Sequence, residues 1–322
     1  MMKMMSDQGS HQEPSGTEYR EILRIVGDRQ RRLVHKELRG LSDIGRESEG
    51  PFLEAWQAID LERRREIARA MVVLAEDNVD VDFRDVFTAC LHDSDAIVRQ
   101  VAVEGLWEDD RPRTMRRFLR LLDDDPDDGV RAASAIALGR FAYQATLDEL
   151  QERDVARLRD ALVTAARDLD DSVDVRRRAL EGAGYFSGPD IDELIAGAYA
   201  SGNADLKASA LAAIGHSIDS RWLPVLQAEL TSPEPALRYE AARASGEWAE
   251  EAAELVPQLL PLAEGDDPEI YGTALWALGQ IGGDAARRML RRMAQSDEPN
   301  RQAAAQEALN ELEFDADPLR LF

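Results

Sequence analysis

The chain has 322 residues, 44% of them hydrophobic and 32% charged. This composition is too apolar for disorder throughout, and by length alone the chain is expected to hold about two domains. Its net charge of −24 argues against a general affinity for nucleic-acid phosphates. The single cysteine excludes an intramolecular disulfide and a cysteine metal cluster, and no apolar run is long enough to span a membrane. These features favour a cytoplasmic protein.

The N-terminal region differs in composition from the rest of the chain. Residues 1–16 contain one lysine and no apolar core, which is not the pattern of a secretory signal, and we expect a disordered tail. Residues 17–50 are predicted to form a capping helix and a linker. Between Arg20 and Arg39 this segment carries seven positive and three negative side chains. We interpret it as a cap that pairs with acidic neighbours, and a basic arm for a partner is the alternative.

A short helical motif then recurs between residues 51 and 313. It consists of an apolar residue, a basic residue, two further residues and a small residue, as in Val98, Arg99 and Ala102. The basic position, here called the anchor, or a substitute for it, recurs at intervals of 30 to 45 residues. The anchors are Arg99, Arg131, Arg176, Lys207, Arg238, Tyr271 and Arg301, with an earlier copy at Arg65. Periods of this size are typical of helical repeat proteins.

Each repeat combines two amphipathic segments. Counted from the anchor, positions −1, +3, +4 and +7 are apolar or small, which places them on one stripe of an α-helix. A second amphipathic segment precedes each anchor, so each repeat is predicted to be two antiparallel helices, A and then B, with the anchor near the start of B. No repeat can bury both stripes alone, so neighbours must stack. We therefore predict an all-α, right-handed α–α superhelix of about eight helical pairs over residues 51–313, followed by a C-terminal tail at 314–322.

A glycine stands eight residues after the anchor in five of the repeats. Such a glycine either ends helix B in the left-handed conformation or permits close contact with the next repeat. The five residues are Gly139, Gly184, Gly215, Gly246 and Gly279.

The Val-Arg motif, the small residues after it and the closing Leu-Gly resemble HEAT repeats, most of all the short bacterial variety called PBS-lyase HEAT-like. The resemblance covers about residues 52–312. It implies an armadillo-like α-solenoid, and a family of scaffolds and adaptors with a few enzymes. Tyr271 and Asn300 depart from the pattern, because they stand where the anchor arginine and the valine before an anchor are expected.

Sequence signals for catalysis and metal binding are weak. The acidic run from Asp123 to Gly129 fails as a calcium loop, because the sixth and twelfth positions hold Asp128 and Ser134 where an EF-hand needs glycine and glutamate. HEAT-like deoxyhypusine hydroxylases carry His-Glu pairs that hold iron, and this chain has no His-Glu dipeptide. Cys90 lies among apolar residues at helical spacing, as a buried thiol does. We therefore predict no catalytic residue, no metal and no cofactor.

The B helices are expected to line the concave face of the superhelix. With positions +3, +4 and +7 buried, positions +1, +5 and +9 form the exposed stripe. Aromatic residues and arginine on such a stripe are of the types that dominate protein-binding surfaces. The candidate binding residues are Tyr185, His216, Tyr239, Arg243, Trp276 and Gln280. Burial of Trp276 in the core is the alternative to exposure on this face.

Three hypotheses for function follow. The first is a non-catalytic scaffold or adaptor that binds a protein or peptide on this face, without a membrane partner. The second is a bilin-lyase-like or other modifying enzyme, for which Cys90 is the only candidate nucleophile. The third is nucleic-acid binding through the basic segment Arg20–Arg39, which the overall acidity of the chain disfavours.

Overall fold

The structure, a computed structural model, describes residues 18–45 and 49–316. Within these ranges the chain forms eighteen α-helices joined by short turns, and it forms no β-strand there. The predicted tail at 1–16 lies outside the described residues, as do residues 317–322 of the predicted C-terminal tail. The prediction of an all-α fold built from helical hairpins is confirmed.

The helices fall into two compact units, which divide between Ala137 and Leu138. The first unit contains α1 (Glu18–Val26), α2 (His35–Leu38), α3 (Glu49–Gln57), α4 (Leu61–Glu76), α5 (Arg84–Cys90), α6 (Ala96–Gly105) and α7 (Pro112–Asp124). Helix α8 (Asp128–Thr146) contributes residues to both units. The second unit contains α9 (Glu152–Arg167), α10 (Val173–Ala183), α11 (Pro189–Tyr199), α12 (Ala204–Ser217), α13 (Leu223–Glu229), α14 (Pro235–Glu247), α15 (Val256–Ala263), α16 (Pro268–Ile281), α17 (Gly283–Met293) and α18 (Pro299–Ala316). Short 3-10 helices cover Arg39–Leu41, Ser220–Trp222 and Ala249–Leu255.

The even-numbered helices from α4 onward are the B helices, and most of them begin at a capping side chain. Such a side chain accepts hydrogen bonds from backbone N–H groups of the first turn, which have no partner within the helix. The capping residues are Asp60, Asp95, Ser172, Asn203 and Asp267. Proline occupies the first position of α14 and α16, where its missing N–H costs nothing. Each anchor consequently lies within the first five residues of its B helix.

In the second unit the B helices lie side by side. Helix α10 packs on α12, α12 on α14, α14 on α16 and α16 on α18. Each A helix also packs on the B helix that follows it, as α9 does on α10. Small residues at +3 allow this close packing: Ala179 on α10 and Ala241 on α14 are completely buried. Counted along the chain, α3 to α18 make eight A–B pairs in the described residues.

In the first unit the N-terminal helix α1 packs on α3. Its apolar residues Tyr19, Leu23 and Val26 are buried, and the ring of Tyr19 lies 6.0 Å from the ring of Phe52 on α3. The Nε of Arg63 on α4 donates a hydrogen bond of 2.5 Å to the Val26 carbonyl. Helix α1 is therefore bonded to both helices of the first A–B pair.

The five glycines at +8 serve close packing and do not end helices in the left-handed conformation. Their φ angles all lie outside the left-handed region. A Cβ atom built on Gly184 would lie 2.6 Å from the Cα of Ala213 on the next B helix. One built on Gly279 would lie 3.0 Å from the Cβ of Ala308. Neighbouring B helices touch at Gly184 and Gly279, so a larger residue there would force them apart.

Candidate binding site on the B helices

Side chains from four successive B helices meet in the second unit. We call Tyr143, Tyr185, His216, Arg243 and Glu247 the B-helix cluster. Tyr143 belongs to α8, His216 to α12, and Arg243 and Glu247 to α14, while Tyr185 lies two residues beyond the end of α10. Tyr185, His216 and Glu247 are spaced by 31 residues and all stand nine residues after an anchor. The stacking of repeats turns this period in the sequence into contact in space.

The aromatic rings of the cluster are stacked. The rings of Tyr185 and His216 are nearly parallel, with an interplanar angle of 7° and centroids 4.0 Å apart. Tyr143 packs its edge against Tyr185 at 62° and 5.8 Å. Burial of Tyr185 raises the pKa of its hydroxyl to about 12, whereas Tyr143 keeps half of its surface in solvent. Both arrangements are among those that aromatic pairs prefer, so Tyr185 is held between two neighbours.

The His216 side chain is fixed in a neutral form. Its Nδ1 lies 2.8 Å from the carbonyl oxygen of Glu181, which can only accept a hydrogen bond, so Nδ1 carries the proton. Burial lowers the pKa of the imidazole to about 4, because the charged form would lose its hydration. The unprotonated Nε2 therefore faces the carboxyl group of Glu247, whose Oε1 lies 3.8 Å away.

Glu247 is held in a partly desolvated position. Its Oε1 pairs with the guanidinium of Arg243, and the Nε of Arg243 donates to Glu240 at 2.9 Å. The other carboxyl oxygen of Glu247 is buried against Gly215 without a hydrogen-bond partner. Burial raises the pKa of Glu247 to about 7, because loss of hydration outweighs the attraction of Arg243. At neutral pH the cluster thus contains a carboxyl group close to half-protonation.

Three of the residues predicted for this surface lie outside the cluster. Trp276 on α16 is half-buried, and its ring covers Gly246, where a Cβ atom would lie 2.3 Å from the ring. The side-chain amide of Gln280 donates to Glu311 on α18 at 2.9 Å. Tyr239 is half-buried in the first turns of α14. Among the described residues, no ring contact or hydrogen bond joins these three side chains to the B-helix cluster.

Tyr143 is the cluster residue that the sequence pattern did not identify. The pattern ends at position +9, which in this repeat is Arg140. Helix α8 has 19 residues and continues past that position, so Tyr143 lies one further turn along the same face. The interval of 45 residues to the next anchor, longer than the other intervals, was the available signal.

The anchors bind the turns between helices and do not line the B-helix cluster. The guanidinium of Arg99 donates hydrogen bonds to both carboxylate oxygens of Asp125, at 2.7 and 2.8 Å, and its Nη1 donates to the Asp93 carbonyl. Lys207 lies 2.8 Å from the carboxylate of Glu229. These carboxylates belong to the next repeat, so the anchors join adjacent repeats.

The remaining anchors vary this scheme. Arg131 donates to the carbonyl of Asp125, Arg238 to the carbonyl of Ser232, and Arg301 to the carbonyl of Gly265. Tyr271, the apparent departure from the pattern, donates its hydroxyl hydrogen to Glu298 at 2.7 Å. The guanidinium of Arg301 stacks over the Tyr271 ring at 4.3 Å. A tyrosine therefore replaces the arginine and keeps the link to the next repeat. Arg176 is the one predicted anchor whose side chain forms no hydrogen bond or ion pair within the described part of the chain.

The residues considered for catalysis or metal binding are buried or hydrogen-bonded within the fold. Cys90 is completely buried, and its burial raises the pKa of the thiol well above the ordinary value. In the acidic turn, Asp125 accepts from Arg99 and from the Asp127 N–H, and Asp127 accepts from the Val130 N–H. No group of three or more potential metal-ligating side chains occurs in residues 18–45 and 49–316. No helix in the same ranges is both long and apolar enough to cross a membrane.

Stacked A–B hairpins joined by anchors from repeat to repeat define the class of α-helical repeat proteins. The family model for HEAT repeats matches residues 84–161 and 223–310, which together make up just over half of the chain. The chain belongs to the HEAT-repeat family. No curated protein sequence matches it.

Several solved structures have a similar fold. Yeast importin-beta (Kap95p) is 14% identical with a TM-score of 0.51, and the match covers 93% of this chain and 47% of importin-beta. An engineered protein is 22% identical with a TM-score of 0.42, covering 62% of this chain and 96% of that protein. The complex of CpcE and CpcF of phycocyanin lyase from Nostoc sp. PCC7120 is 19% identical, covering 71% and 94% with a TM-score of 0.48. At such identities the likeness to importin-beta supports the fold alone.

Proposed function

We propose that this protein is a non-catalytic scaffold or adaptor that binds an extended segment of a partner protein on the B-helix surface of its second unit. The observation that carries the proposal is the stacked array of Tyr143, Tyr185 and His216, one edge of which is open to solvent. The proposed contact residues are Tyr185, His216, Tyr239, Arg243, Trp276 and Gln280. We also infer that the repeats are of the short bacterial PBS-lyase HEAT-like variety and that the protein works in the cytoplasm.

The geometry of the cluster suits binding for an entropic reason. Tyrosine, tryptophan and arginine contribute much contact area for few rotatable bonds. Tyr185 is already held between Tyr143 and His216, and Arg243 is held by Glu240 and Glu247. Little side-chain freedom remains to be lost when a partner docks, so more of the contact energy is available for affinity.

The charge of the chain favours a basic partner. A net charge of −24 creates a negative potential around the molecule that speeds association with a positively charged segment. Aromatic faces such as that of Tyr143 also attract lysine and arginine side chains. We therefore propose a partner segment that carries lysine or arginine.

The test is affinity capture with tagged protein from a lysate of the source organism, followed by mass spectrometry. Tyr185→Ala and Trp276→Ala are expected to lower the recovery of the partner about tenfold or more, because each deletes a candidate hot spot of about 2 kcal/mol. Trp107→Ala is the matched control, since Trp107 is 55% exposed and lies in the first unit. Circular dichroism should show unchanged helicity for all three. Recovery of the same proteins at the same yield by all variants would refute the proposed surface.

The contacts of the N-terminal segment support a cap and not a nucleic-acid-binding arm. Arg24, Arg29 and Arg31 form ion pairs with carboxylates of the same unit. The apolar side of α1 is buried against α3. These pairs reduce the positive charge available to phosphates.

A further inference from the structure

We infer that the second unit contains a separate binding groove for a peptide that carries one aspartate or glutamate beside a leucine-like side chain. The groove has a volume of about 320 Å³. It lies among α9, α10, α11 and α12, and we call it the Arg176 groove. The lining residues that matter are Leu169, Arg176, Leu180, Leu194, Gly197 and Ser201. None of them belongs to the B-helix cluster, so this inference and the proposed function can fail independently.

The guanidinium of Arg176 lacks the partner that comparable anchors have. Arg99 donates two parallel hydrogen bonds to the Asp125 carboxylate. Arg65 donates two to the Asp95 carboxylate, at 2.6 and 3.0 Å. The Arg176 guanidinium forms no hydrogen bond or ion pair with the described residues, and its Nε is buried without a partner. Arg176 lines the groove, and a guanidinium that lacks an internal acceptor favours one that reaches its terminal N–H donors from outside.

The sequence explains why the internal partner is missing. Asp125 stands three residues before the first residue of its B helix, α8, and the corresponding position before α12 is Ser201. The Ser201 hydroxyl is turned to the carbonyl of Ala198, to which it donates at 2.6 Å. Glu193 also lines the groove but forms no ion pair with Arg176 among the described residues. Because Arg99 finds a carboxylate at this position, a carboxylate is the acceptor that we expect Arg176 to bind.

The rest of the groove is open and mostly apolar, with Arg167 and Glu193 as its other charged lining residues. Leu169 exposes 77% of its surface at the rim, and Leu180 and Leu194 continue the apolar wall. A Cβ atom added to Gly197 would meet no atom within 4 Å. An arginine at one end of an apolar groove binds a planar carboxylate through two hydrogen bonds. A leucine-like side chain next to that carboxylate would cover Leu169 and Leu194, which are exposed and half-buried.

The first experiment uses two synthetic probes, acetyl-Ala-Leu-Asp-Leu-Ala-amide and the same peptide with Asn in place of Asp. Binding is measured by calorimetry and by the ¹⁵N resonance of the Arg176 side chain. The full chain is expected to bind the Asp peptide at least about tenfold more tightly than the Asn peptide, since a charged bidentate pair with arginine is stronger than a hydrogen bond to a neutral amide. Arg176→Gln should remove this preference, and Gly197→Leu should abolish binding by filling the groove. Tyr185→Ala and Trp276→Ala should bind the Asp peptide normally.

Equal binding of the two peptides, or no binding of the Asp peptide at about 10 mM, would overturn the inference. A second measurement needs no peptide. Ser201→Asp places a carboxylate where Asp125 stands in the other repeat, so it should raise the thermal midpoint and block the Asp peptide. Ser201→Asn, which also loses the serine hydroxyl, is the matched control. The Asp variant must lose its advantage over the Asn variant in an Arg176→Gln background, and an advantage that persists there would also overturn the inference.

Discussion

At the scale of single residues, burial shifts the pKa values of two neighbouring side chains of the B-helix cluster in opposite directions, each toward the uncharged form. The pKa of His216 falls to about 4 and that of Glu247 rises to about 7, in both cases because burial disfavours the charged form. The His216 Nε2 lies 3.8 Å from a carboxyl oxygen of Glu247, so the two groups are neighbours. Protonation of Glu247 turns this carboxyl into a hydrogen-bond donor beside a nitrogen that accepts.

The raised pKa of Glu247 predicts how stability varies with pH. The folded state holds a proton that the unfolded chain releases above its ordinary pKa of 4.5, so this contribution to stability is present below pH 4.5 and is lost as the pH rises to about 7. Glu247→Gln cannot titrate. The free energy of unfolding of the variant minus that of wild type should be larger at pH 8 than at pH 4.5 by on the order of 2 kcal/mol. Chemical denaturation of both proteins at the two pH values measures this difference. A difference that is constant across this range would contradict the pKa of about 7.

The ion pair between Arg99 and Asp125 is expected to stabilise the first unit more than a surface pair does. Both side chains are largely buried, at 11% and 4% exposure, so removal of one leaves the other desolvated and unpaired. Arg99→Ala should lower the free energy of unfolding by on the order of 3 kcal/mol. Arg24→Ala, which breaks the exposed pair with Glu21, should change it by less than about 1 kcal/mol. Equal effects of the two variants would show that Arg99 adds no more than a surface pair.

At the scale of helices, glycine controls how closely neighbouring B helices approach. Gly184 touches the backbone of α12 at Ala213, and Gly246 lies beneath the ring of Trp276 from α16. In the second unit neighbouring B helices pack side by side. A contact that is too large at one point therefore separates the helices at several others.

Gly184→Ala tests this packing. The added Cβ would lie 2.6 Å from both the Cα and the carbonyl oxygen of Ala213, and such overpacking costs about 1–3 kcal/mol of stability. Gly197→Ala is the control, because a Cβ there meets nothing within 4 Å and alanine favours the helix by roughly 0.5–1 kcal/mol. The two variants should therefore move the midpoint of urea unfolding in opposite directions. A Gly184 variant as stable as wild type would mean that the helices shift apart without cost.

At the scale of the whole molecule, negative charges outnumber positive charges. The chain contains 63 aspartate and glutamate residues and 39 lysine and arginine residues. The net charge is therefore −24. Repulsion among these carboxylates opposes the compact state.

The thermal midpoint is therefore expected to rise by several degrees when NaCl is increased from about 0.02 M to about 0.5 M, because screening shortens the range of this repulsion. The same salt weakens exposed ion pairs, but each contributes little. Differential scanning calorimetry measures the change, and sucrose of equal osmolality controls for effects that do not depend on charge. A fall in the midpoint would show that ion pairs outweigh the net repulsion.

The sequence determined the helices, the repeat and the position of each anchor. Apolar residues at helical spacing and capping residues before the anchors act over one or two turns, so their effect is local and can be recognised without a structure. Even the substitution of Tyr271 for arginine was visible, although its link to Glu298 was not.

Tertiary structure decided which side chains meet. Tyr185, His216 and Arg243 come together with Glu247 and with Tyr143, while Tyr239, Trp276 and Gln280 lie elsewhere on the B helices. The raised pKa of Glu247 and the missing partner of Arg176 also depend on distances between helices of different repeats. Such distances follow from the packing of many side chains at once, which a periodic pattern in one repeat does not specify.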